Sequence, residues 1–296
     1  GGSGPFILQA LKKVVSKQGG NLNREDIDKI TNNIVSFDIN PISVVAAKAN
    51  YILVLMSAYR GSYDLDFKVG NSIDIPVYIA DSVLAPVVYS EESQDTIQVE
   101  TNVCKFKIPK FKNIHESNMF LRILSDRIHE KSRFEPIWSE IKDNTNIDDL
   151  QKDLVKELYA KIYQLHMSGL DSFWPIILKN SFAPLIVGNK FDYVVGNPPW
   201  IAWKSMSKQY REGTLKVWQS YGIFEKNAYD KKTTHDDFGM AVTYVAVDYY
   251  LKEKGVMGFL LPASFLKSTK GGQGFRKLEI IRNRQDIPFS INEVND

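Results

Sequence analysis

The chain has 296 residues, of which 44% are hydrophobic, and its formal net charge at pH 7 is +2. This composition can bury a sizeable core and argues against a disordered chain. A charge this close to neutral excludes a generic polyanion binder, so any contact with nucleic acid must depend on local clusters of basic residues. The length suits one large α/β domain, or one domain that carries an insertion.

Cys104 is the only cysteine, which excludes a disulfide framework and a thiolate metal site and favours the reducing cytoplasm. The four histidines lack the spacing of metal ligands, so we expect no metal. They are His115, His129, His166 and His235. No apolar run approaches the ~20 residues of a membrane span and no signal peptide is visible, so we expect a cytoplasmic protein.

In chain order, hydrophobic periodicity first predicts alternating helices and strands. A helix is predicted over 5–18, a strand over 33–38, a long helix from Pro41 to about Tyr59 and a strand over 76–80. From about residue 86 to 185 the pattern changes, which indicates an insertion. Within it we predict a hairpin from 97–100 and 104–107, then helices near 115–131 and 148–168.

The alternating pattern then resumes. We predict a strand over 191–196, a helix over 236–253, a strand over 256–261, a helix over 272–283 and a short strand near 287–291. Strands that alternate with helices favour an α/β fold with a mostly parallel, doubly wound sheet. The predicted parts are a first half at 1–85, the insertion at 86–185 and a second half at 186–296.

The strand 191–196 ends in Asn197-Pro198-Pro199-Trp200, which carries the groups needed to methylate an amino nitrogen. An exocyclic amine on adenine is a poor nucleophile because its lone pair is delocalised into the ring. The Asn197 side-chain oxygen and the Pro198 carbonyl can accept hydrogen bonds from that amine, and Pro199 restricts the direction of the carbonyl. Trp200 offers a face on which a flipped base can stack. A lone tripeptide of this kind would more often be a strand ending in a proline turn.

Asp38 and Ile39 follow another predicted strand. In nucleotide-binding α/β folds a carboxylate at this position accepts hydrogen bonds from both ribose hydroxyls, while an apolar neighbour covers the adenine. Asp38 or Asn40 could also cap the helix that begins at Pro41, and the two roles are compatible. The spacing argues against a dinucleotide site at Asp38, since the third glycine of G-x-G-x-x-G is absent and Asp38 lies beyond the ~20 residues expected. There is also no Walker motif.

Four segments, in the right order, resemble the S-adenosylmethionine-dependent DNA adenine-N6 methyltransferases, particularly the type IIG-like restriction-modification and phage-defence enzymes. They are Gly1–Phe6, Phe37–Pro41, Val77–Asp81 and Asn197–Trp200. The resemblance covers roughly residues 1 to 82 and 186 to 290. It implies a Rossmann-like, doubly wound, mostly parallel sheet with a mainly helical insertion.

The resemblance also implies S-adenosyl-L-methionine as the cofactor. Gly2 and Gly4 would let the backbone approach its methionine part, and Asp81 would accept from the amino group of its adenine. The implied cofactor set is Gly2, Gly4, Phe6, Asp38, Ile39, Asp81 and Phe238.

The target base would be held by Asn197, Pro198, Pro199 and Trp200, with Phe265 as a second wall. Core packing is the alternative role for Phe265. Tyrosine or phenylalanine is commoner than tryptophan at the position of Trp200, which preserves stacking but leaves the exact shape of the pocket open.

The resemblance implies double-stranded DNA as the partner and places the specificity domain or subunit outside this chain. It also places residue 1 inside the cofactor-binding loop, so that the first strand would lie upstream, although Gly1–Gly4 can also be a linker. Phosphate contacts are predicted from three basic clusters. These are Lys204, Lys208, Arg211 and Lys216; Lys267, Lys270, Arg276 and Lys277; and Lys105, Lys107, Lys110 and Lys112.

Three alternatives stay open. Related sites methylate glutamine side chains or RNA bases with the same acceptor geometry, although those enzymes tend to lack so long an insertion. Methylation of cytosine N4 usually employs serine or aspartate in place of Asn197. The third alternative is a methyltransferase-like subunit that binds DNA or partners without turnover.

Overall fold

The computed structural model describes residues 4–61, 73–84, 96–100, 105–130, 132–169, 174–187, 191–224, 236–267, 272, 274–282 and 285–295. The chain forms two compact units. The first consists of Gly1–Asp81 with Val88–Val187, and the second of Ser82–Val87 with Gly188–Asp296.

The first unit begins with helices packed on a short parallel sheet. Its elements are α1 (Pro5–Lys17), α2 (Arg24–Asn33), β1 (Ser36–Asp38), α3 (Pro41–Ala58) and β2 (Val77–Ile79). Strands β1 and β2 pair in parallel, so that their carboxyl ends lie at the same edge. The core between the helices is apolar and includes Leu11, Leu22, Ile27, Tyr51 and Leu55, all of them almost fully buried.

Helix α3 starts where the sequence provides a cap. The Asn40 side chain accepts hydrogen bonds from the backbone N–H groups of Ile42 and Ser43, and Pro41 occupies the first turn. One face of α3 is buried in the core of the first unit, while Ile42 and Val45 are exposed. By length and composition this 18-residue helix could also cross a membrane, a test that core helices of soluble proteins pass as well.

The insertion contains one hairpin and four helices among its described residues. The antiparallel hairpin joins β3 (Thr96–Glu100) to β4 (Lys105–Pro109) and confirms the predicted pairing. The helices are α4 (Ile114–His129), α5 (Phe134–Asn144), α6 (Lys152–Met167) and α7 (Trp174–Ile186). Phe106 and Ile108 of β4 are buried and alternate with the exposed Lys107, as expected for a sheet with one face in a core.

The insertion is attached to β2 by polar contacts. The buried Asn118 of α4 donates from its Nδ2 to the Tyr78 hydroxyl at 3.1 Å. The Ile79 backbone N–H donates to the Asn180 Oδ1 of α7 at 3.0 Å. Asn180 therefore satisfies a backbone donor of β2 that faces away from β1, and the end of β2 is held by the insertion.

The second unit contains the other parallel pair. Its elements are β5 (Phe191–Gly196), α8 (Lys208–Ser220), α9 (Phe238–Val245), β6 (Leu251–Phe259), the short α10 (Ser264–Lys267), β7 (Glu279–Arg282) and β8 (Gln285–Pro288). Strands β5 and β6 run parallel, with Gly196 opposite Phe259 at their carboxyl ends, and β7 and β8 form an antiparallel hairpin. A π-helical turn, Ala246–Tyr250, connects α9 directly to β6.

The predicted strand 191–196 is confirmed to the residue, and the predicted strand 256–261 matches the regular part of β6. Strand β6 also includes the irregular stretch Leu251–Gly255, where Lys254 has a φ of 63°. The predicted helix 236–253 is therefore too long, because its last residues pair with β5.

The predicted helix over 272–283 is wrong. A 3-10 turn, Phe275–Lys277, is followed there by the β7–β8 hairpin. Tyr244 of α9 explains the difference, because its hydroxyl accepts from the Leu278 N–H and lies 2.9 Å from the Phe275 carbonyl oxygen. Backbone groups that a helix would pair internally are thus satisfied by a side chain.

The fold is mixed α/β. The described residues form four two-stranded sheets, two parallel and two antiparallel, instead of one long doubly wound sheet. Among the described residues, five α-helices that periodicity did not predict are α2, α5, α7, α8 and the short α10.

We expect Tyr78→Phe to lower the free energy of unfolding by about 1–3 kcal/mol, because it leaves the buried Asn118 amide without its acceptor. Urea denaturation would measure the loss. The matched control is Tyr193→Phe, since the Tyr193 ring is 74% exposed and its change should stay within about 0.5 kcal/mol. Equal effects of the two substitutions would contradict the role of the Tyr78 hydroxyl.

Candidate functional site

The segment Asn197–Trp200 lies at the carboxyl end of β5. Asn197 and Pro199 are exposed and Pro198 is buried. We call this segment the Asn197–Trp200 corner. Leu260, the first residue after β6, forms hydrogen bonds through its backbone N–H and carbonyl to the residue just before this corner and to its last residue. Its N–H donates to the Gly196 carbonyl at 3.1 Å, and its carbonyl accepts from the Trp200 Nε1 at 3.2 Å.

Trp200 is 57% exposed although its indole N–H is bound. The hydrogen bond holds one edge of the ring at the ends of the two strands, and much of the ring surface stays open to solvent. Phenylalanine cannot form this bond because it has no donor, so the tryptophan is restrained in a way that phenylalanine would not be.

Behind the exposed corner lies an aromatic cluster. Trp203 packs edge-on against Trp218 and Phe224, with ring centroids 5.3 and 4.9 Å apart, and Trp218 stacks on Phe224 at 4.5 Å. All three rings are buried. Such rings contribute much of the apolar area that a core buries, so packing of Trp203 anchors the chain after Trp200 in the core of the second unit.

The chain after Trp200 is also paired with the start of α9. Ala202 and Asp237 form an isolated antiparallel bridge, and the Phe238 N–H donates to the Ile201 carbonyl at 2.9 Å. Asp237 caps α9 by accepting from the Gly239 N–H at 3.0 Å. Partial burial raises the pKa of the Asp237 carboxyl, and backbone hydrogen bonds from Gly239 and Ile201 oppose that rise.

Phe238 and Phe265 are both buried in the second unit. Phe238 packs edge-on against Tyr210 at 5.4 Å. Phe265 is 2% exposed, packs edge-on against Phe275 at 5.5 Å and closely contacts Gly239, where an added Cβ would lie 3.1 Å from the ring. This location favours the packing role for Phe265 over contact with a base.

In the first unit, the carboxyl ends of β1 and β2 bring Asp38 and Ile39 to the same edge as Ile79 and Asp81. Asp38 is opposite Ile79 in the parallel register, and the Ala80 N–H donates to the Asp38 carbonyl at 3.1 Å. Ile39 and Ile79 are 67% and 40% exposed. Two carboxylates and two exposed apolar side chains therefore follow neighbouring strand ends.

Local contacts also explain how the Asp38 carboxylate is oriented. Its Oδ1 accepts from the Asn40 N–H at 2.8 Å, and Asn40 in turn caps α3. Of the two capping residues that the sequence allowed, Asn40 is thus the one that caps the helix. Asp38 lies two residues before Asn40 and fixes the Asn40 backbone through its carboxylate.

Gly4 precedes α1 with a φ of 90°, in the left-handed region that favours glycine. A Cβ at this position would lie 3.0 Å from the Ala47 Cβ of α3 and 3.0 Å from the Ile7 Cγ2. The glycine is therefore needed for the close packing of α1 on α3. Phe6 lies half-buried in the first turn of α1.

Several predicted residues lie outside the described residues, namely Gly2, Cys104, His235 and Lys270. Within the described part of the chain, no group of three or more histidine, cysteine, aspartate or glutamate side chains could hold a metal ion.

The basic side chains of the predicted clusters differ in their exposure and in their partners. Lys204 and Lys208 are exposed, but the Arg211 Nη1 donates to the Lys204 carbonyl at 3.0 Å and so has a structural role. In the insertion, Lys161 is the main cause of a lowered pKa of the Glu157 carboxyl, and Lys107 adds to the shift. Lys107 of the predicted lysine run therefore lies close enough to Glu157 to favour its ionised form.

Comparison with known families gave one match. The model of the Eco57I restriction-modification methylase family matches residues 32–292. No curated protein and no solved structure matches the chain. The matched range includes β1, both parallel pairs, the insertion and the Asn197–Trp200 corner.

We expect Gly4→Ala to destabilise the protein more than Gly19→Ala. Both glycines have a positive φ, so alanine costs about 1–2 kcal/mol at either position. Only Gly4 is crowded, whereas a Cβ at Gly19 would meet nothing within 4 Å, so Gly4→Ala should lose about 1–3 kcal/mol more through overpacking. Urea denaturation of the two variants would measure the difference, and equal losses would contradict the tight α1–α3 contact.

Proposed function

The chain belongs to the Eco57I restriction-modification methylase family, and we propose that it methylates the N6 amine of an adenine swung out of duplex DNA, with S-adenosyl-L-methionine as methyl donor. Family membership assigns the chain to the DNA methyltransferases of restriction-modification systems. The observation that carries the finer proposal is the exposure of Asn197 and Trp200 together at the carboxyl end of β5. Ligands of parallel α/β sheets bind at such edges.

Asn197 and Pro198 would bind the reacting amine. The Asn197 Oδ1 and the Pro198 carbonyl are acceptors, and hydrogen bonds to both would localise the amine lone pair and stabilise the positive charge that develops during transfer. The S–C bond of the sulfonium would break as the N–C bond forms, which would leave S-adenosyl-L-homocysteine, and the methylated amine would then lose one proton to solvent, so no covalent enzyme intermediate is needed. The work of the protein is then positioning and electrostatic stabilisation.

Trp200 would hold the base. A base that leaves the duplex loses its stacking, and an exposed indole can replace part of it. The hydrogen bond from Trp200 to Leu260 supports this role, because it restrains the ring without covering it. A pre-ordered ring loses less conformational freedom when the base binds.

The edge of the first unit fits the adenosine part of the cofactor. The Asp38 carboxylate would accept from the ribose hydroxyls, Ile39 would cover the adenine and Asp81 would accept from the adenine amine. Ile79 adds exposed apolar surface at the same edge. S-adenosyl-L-methionine supplies a methyl group made electrophilic by its sulfonium, while Gly2, Gly4, Phe6 and Phe238 complete the proposed set.

We also propose that the complete fold is a doubly wound methyltransferase sheet, divided into three parts at residues 85 and 185. The partner would be double-stranded DNA and the location cytoplasmic. Target choice would depend on a specificity domain or subunit outside this chain. The family match favours DNA over the RNA-base and glutamine alternatives, while a subunit without turnover is distinguished by the experiment below.

We expect Asn197→Ala to lower methyl transfer by about 10²-fold or more while leaving cofactor affinity unchanged, because it removes one acceptor for the developing charge. The assay follows labelled methyl groups from S-adenosylmethionine into unmethylated duplex DNA, with digestion to nucleosides and identification of the product. N6-methyladenine from the wild type is the expected product.

Asn33→Ala is the matched control. Asn33 is an exposed asparagine at the end of α2, and its side chain donates to the Lys29 carbonyl of the same helix. The variant should keep full activity. Near-normal turnover by Asn197→Ala would remove the proposed catalytic role, and a wild type that binds cofactor without methylating DNA would favour the subunit without turnover.

We expect Asp38→Ala to weaken cofactor binding by about 10- to 100-fold, since hydrogen bonds to a charged group contribute about 1.5–3 kcal/mol. Calorimetric titration with S-adenosylmethionine would measure the change. Asp28→Ala, which removes a half-buried aspartate paired with Arg24, is the control and should bind cofactor normally. An unchanged affinity for Asp38→Ala would contradict the proposed pocket.

A further inference from the structure

Asp236 is an almost buried aspartate whose contacts extend in two directions. Asp236 directly precedes Asp237, the N-cap residue of α9, and is only 8% exposed. The Asp236 Oδ1 accepts from the Gly272 N–H at 2.6 Å, a short and buried hydrogen bond. Its backbone carbonyl accepts from the Trp203 N–H at 2.9 Å. One residue therefore binds two segments that are far apart in sequence.

The first of these segments follows the Asn197–Trp200 corner. The Trp203 N–H bond to Asp236 continues the pairing of Ala202 with Asp237 and of Ile201 with Phe238. The three residues after Trp200 are thus held by backbone hydrogen bonds to the start of α9. Any shift of Asp236 would be transmitted directly to the chain that leaves the corner.

The second segment follows β6. Gly272 has a φ of 74°, and a Cβ there would lie 3.0 Å from the Phe265 carbonyl oxygen, so its backbone is closely enclosed. The Gly272 carbonyl accepts from the Arg276 N–H at 3.0 Å, and the Arg276 Nη1 donates to the Phe265 carbonyl at 3.2 Å. The hydrogen bond to Asp236 therefore fixes the backbone at Gly272.

The acceptor oxygen of Asp236 is costly to lose. A buried N–H without its acceptor is strongly unfavourable, and a side-chain oxygen at the same reach can serve as that acceptor. Neither segment has regular secondary structure at Gly272 or Trp203 except a short 3-10 turn, Trp203–Ser205. Their relative position depends strongly on the residue that bonds to both.

We propose that Asp236 is a positioning residue for methyl transfer. Its carboxylate and its carbonyl lock the segments after β5 and β6 in one arrangement, and that arrangement holds Asn197 and Trp200 where the target base must bind. The inference rests on the proposed function and deepens it. Asp236 acts through Trp203 and Gly272, without touching the reacting atoms.

The test compares substitutions of Asp236 in the complete protein, with S-adenosylmethionine and unmethylated plasmid DNA as substrates. Asp236→Ala should lower kcat by about 10- to 100-fold, since a displacement of about 1 Å can have an effect of this size. The KM for DNA and the affinity for the cofactor should change less than about twofold, which separates positioning from binding. Asp236→Asn keeps an oxygen at the same reach and should retain kcat within about threefold.

Asp248→Ala is the matched control in the same unit. Asp248 accepts from the Tyr221 hydroxyl at 2.8 Å and lies just before β6, at the end opposite to the Asn197–Trp200 corner. Its loss removes a comparable hydrogen bond, so it should lower stability without lowering kcat. Equal decreases of kcat in Asp236→Ala and Asp248→Ala would overturn the proposal, as would a change in the KM for DNA alone.

Two further measurements decide the remaining outcomes. If Asp236→Ala does not fold, Asp236→Glu replaces it, because the longer side chain keeps the charge but displaces the oxygen. A kcat for Asp236→Glu as high as that of Asp236→Asn would overturn the proposal.

Hydrogen exchange separates this inference from the proposed function. In Asp236→Ala, but not in Asp236→Asn, peptides that contain residues 201–203 and 272–278 should exchange faster than in the wild type. Unchanged exchange would overturn the positioning role even if the wild type were inactive on DNA. A wild type without DNA methylation but with the expected exchange pattern would instead overturn the proposed function and with it the catalytic meaning of Asp236.

Discussion

The parallel pairing of β5 with β6 is the constraint on which the second unit depends. Because both strands end at the same edge, the residue after β6 can bind the corner after β5 twice, through the Leu260 N–H to Gly196 and through the Leu260 carbonyl to Trp200. If β6 were antiparallel to β5, it would end at the opposite edge, and the residue that follows it could not supply these groups. The parallel strand direction thus fixes the backbone before Asn197 and the ring of Trp200, while Asn197 itself is exposed.

The first unit solves a related problem with side chains from the insertion. A two-stranded sheet leaves backbone donors at its outer edge, and Asn180 accepts one of them from Ile79. Asn118 meets the Tyr78 hydroxyl on the same strand, where burial raises the pKa of the phenol far above its usual range. The insertion therefore contributes to the strand that precedes Asp81, and its removal would leave the buried Tyr78 hydroxyl without Asn118.

Strong local patterns made part of this structure predictable. The helix that starts at Pro41 and the strand 191–196 follow from proline, capping residues and an apolar run, all of which act within a few residues. The helix predicted at 272–283 failed because Tyr244, which is distant in sequence, satisfies that backbone. Motif chemistry likewise predicted Asn197 and Asp38 as site residues, whereas Asp236 gave no sequence signal, since its partner Gly272 lies 36 residues further along the chain. Contacts of that range need the folded structure.

The restrained indole of Trp200 has a spectroscopic consequence. Burial is described for four of the tryptophans, and Trp138, Trp203 and Trp218 are each less than 9% exposed, whereas Trp200 is largely open. A polar quencher such as iodide would therefore reach Trp200 far more readily than those three rings. Fluorescence quenching then distinguishes a covered from an uncovered corner in the unmodified protein, without a label and without knowledge of the target sequence.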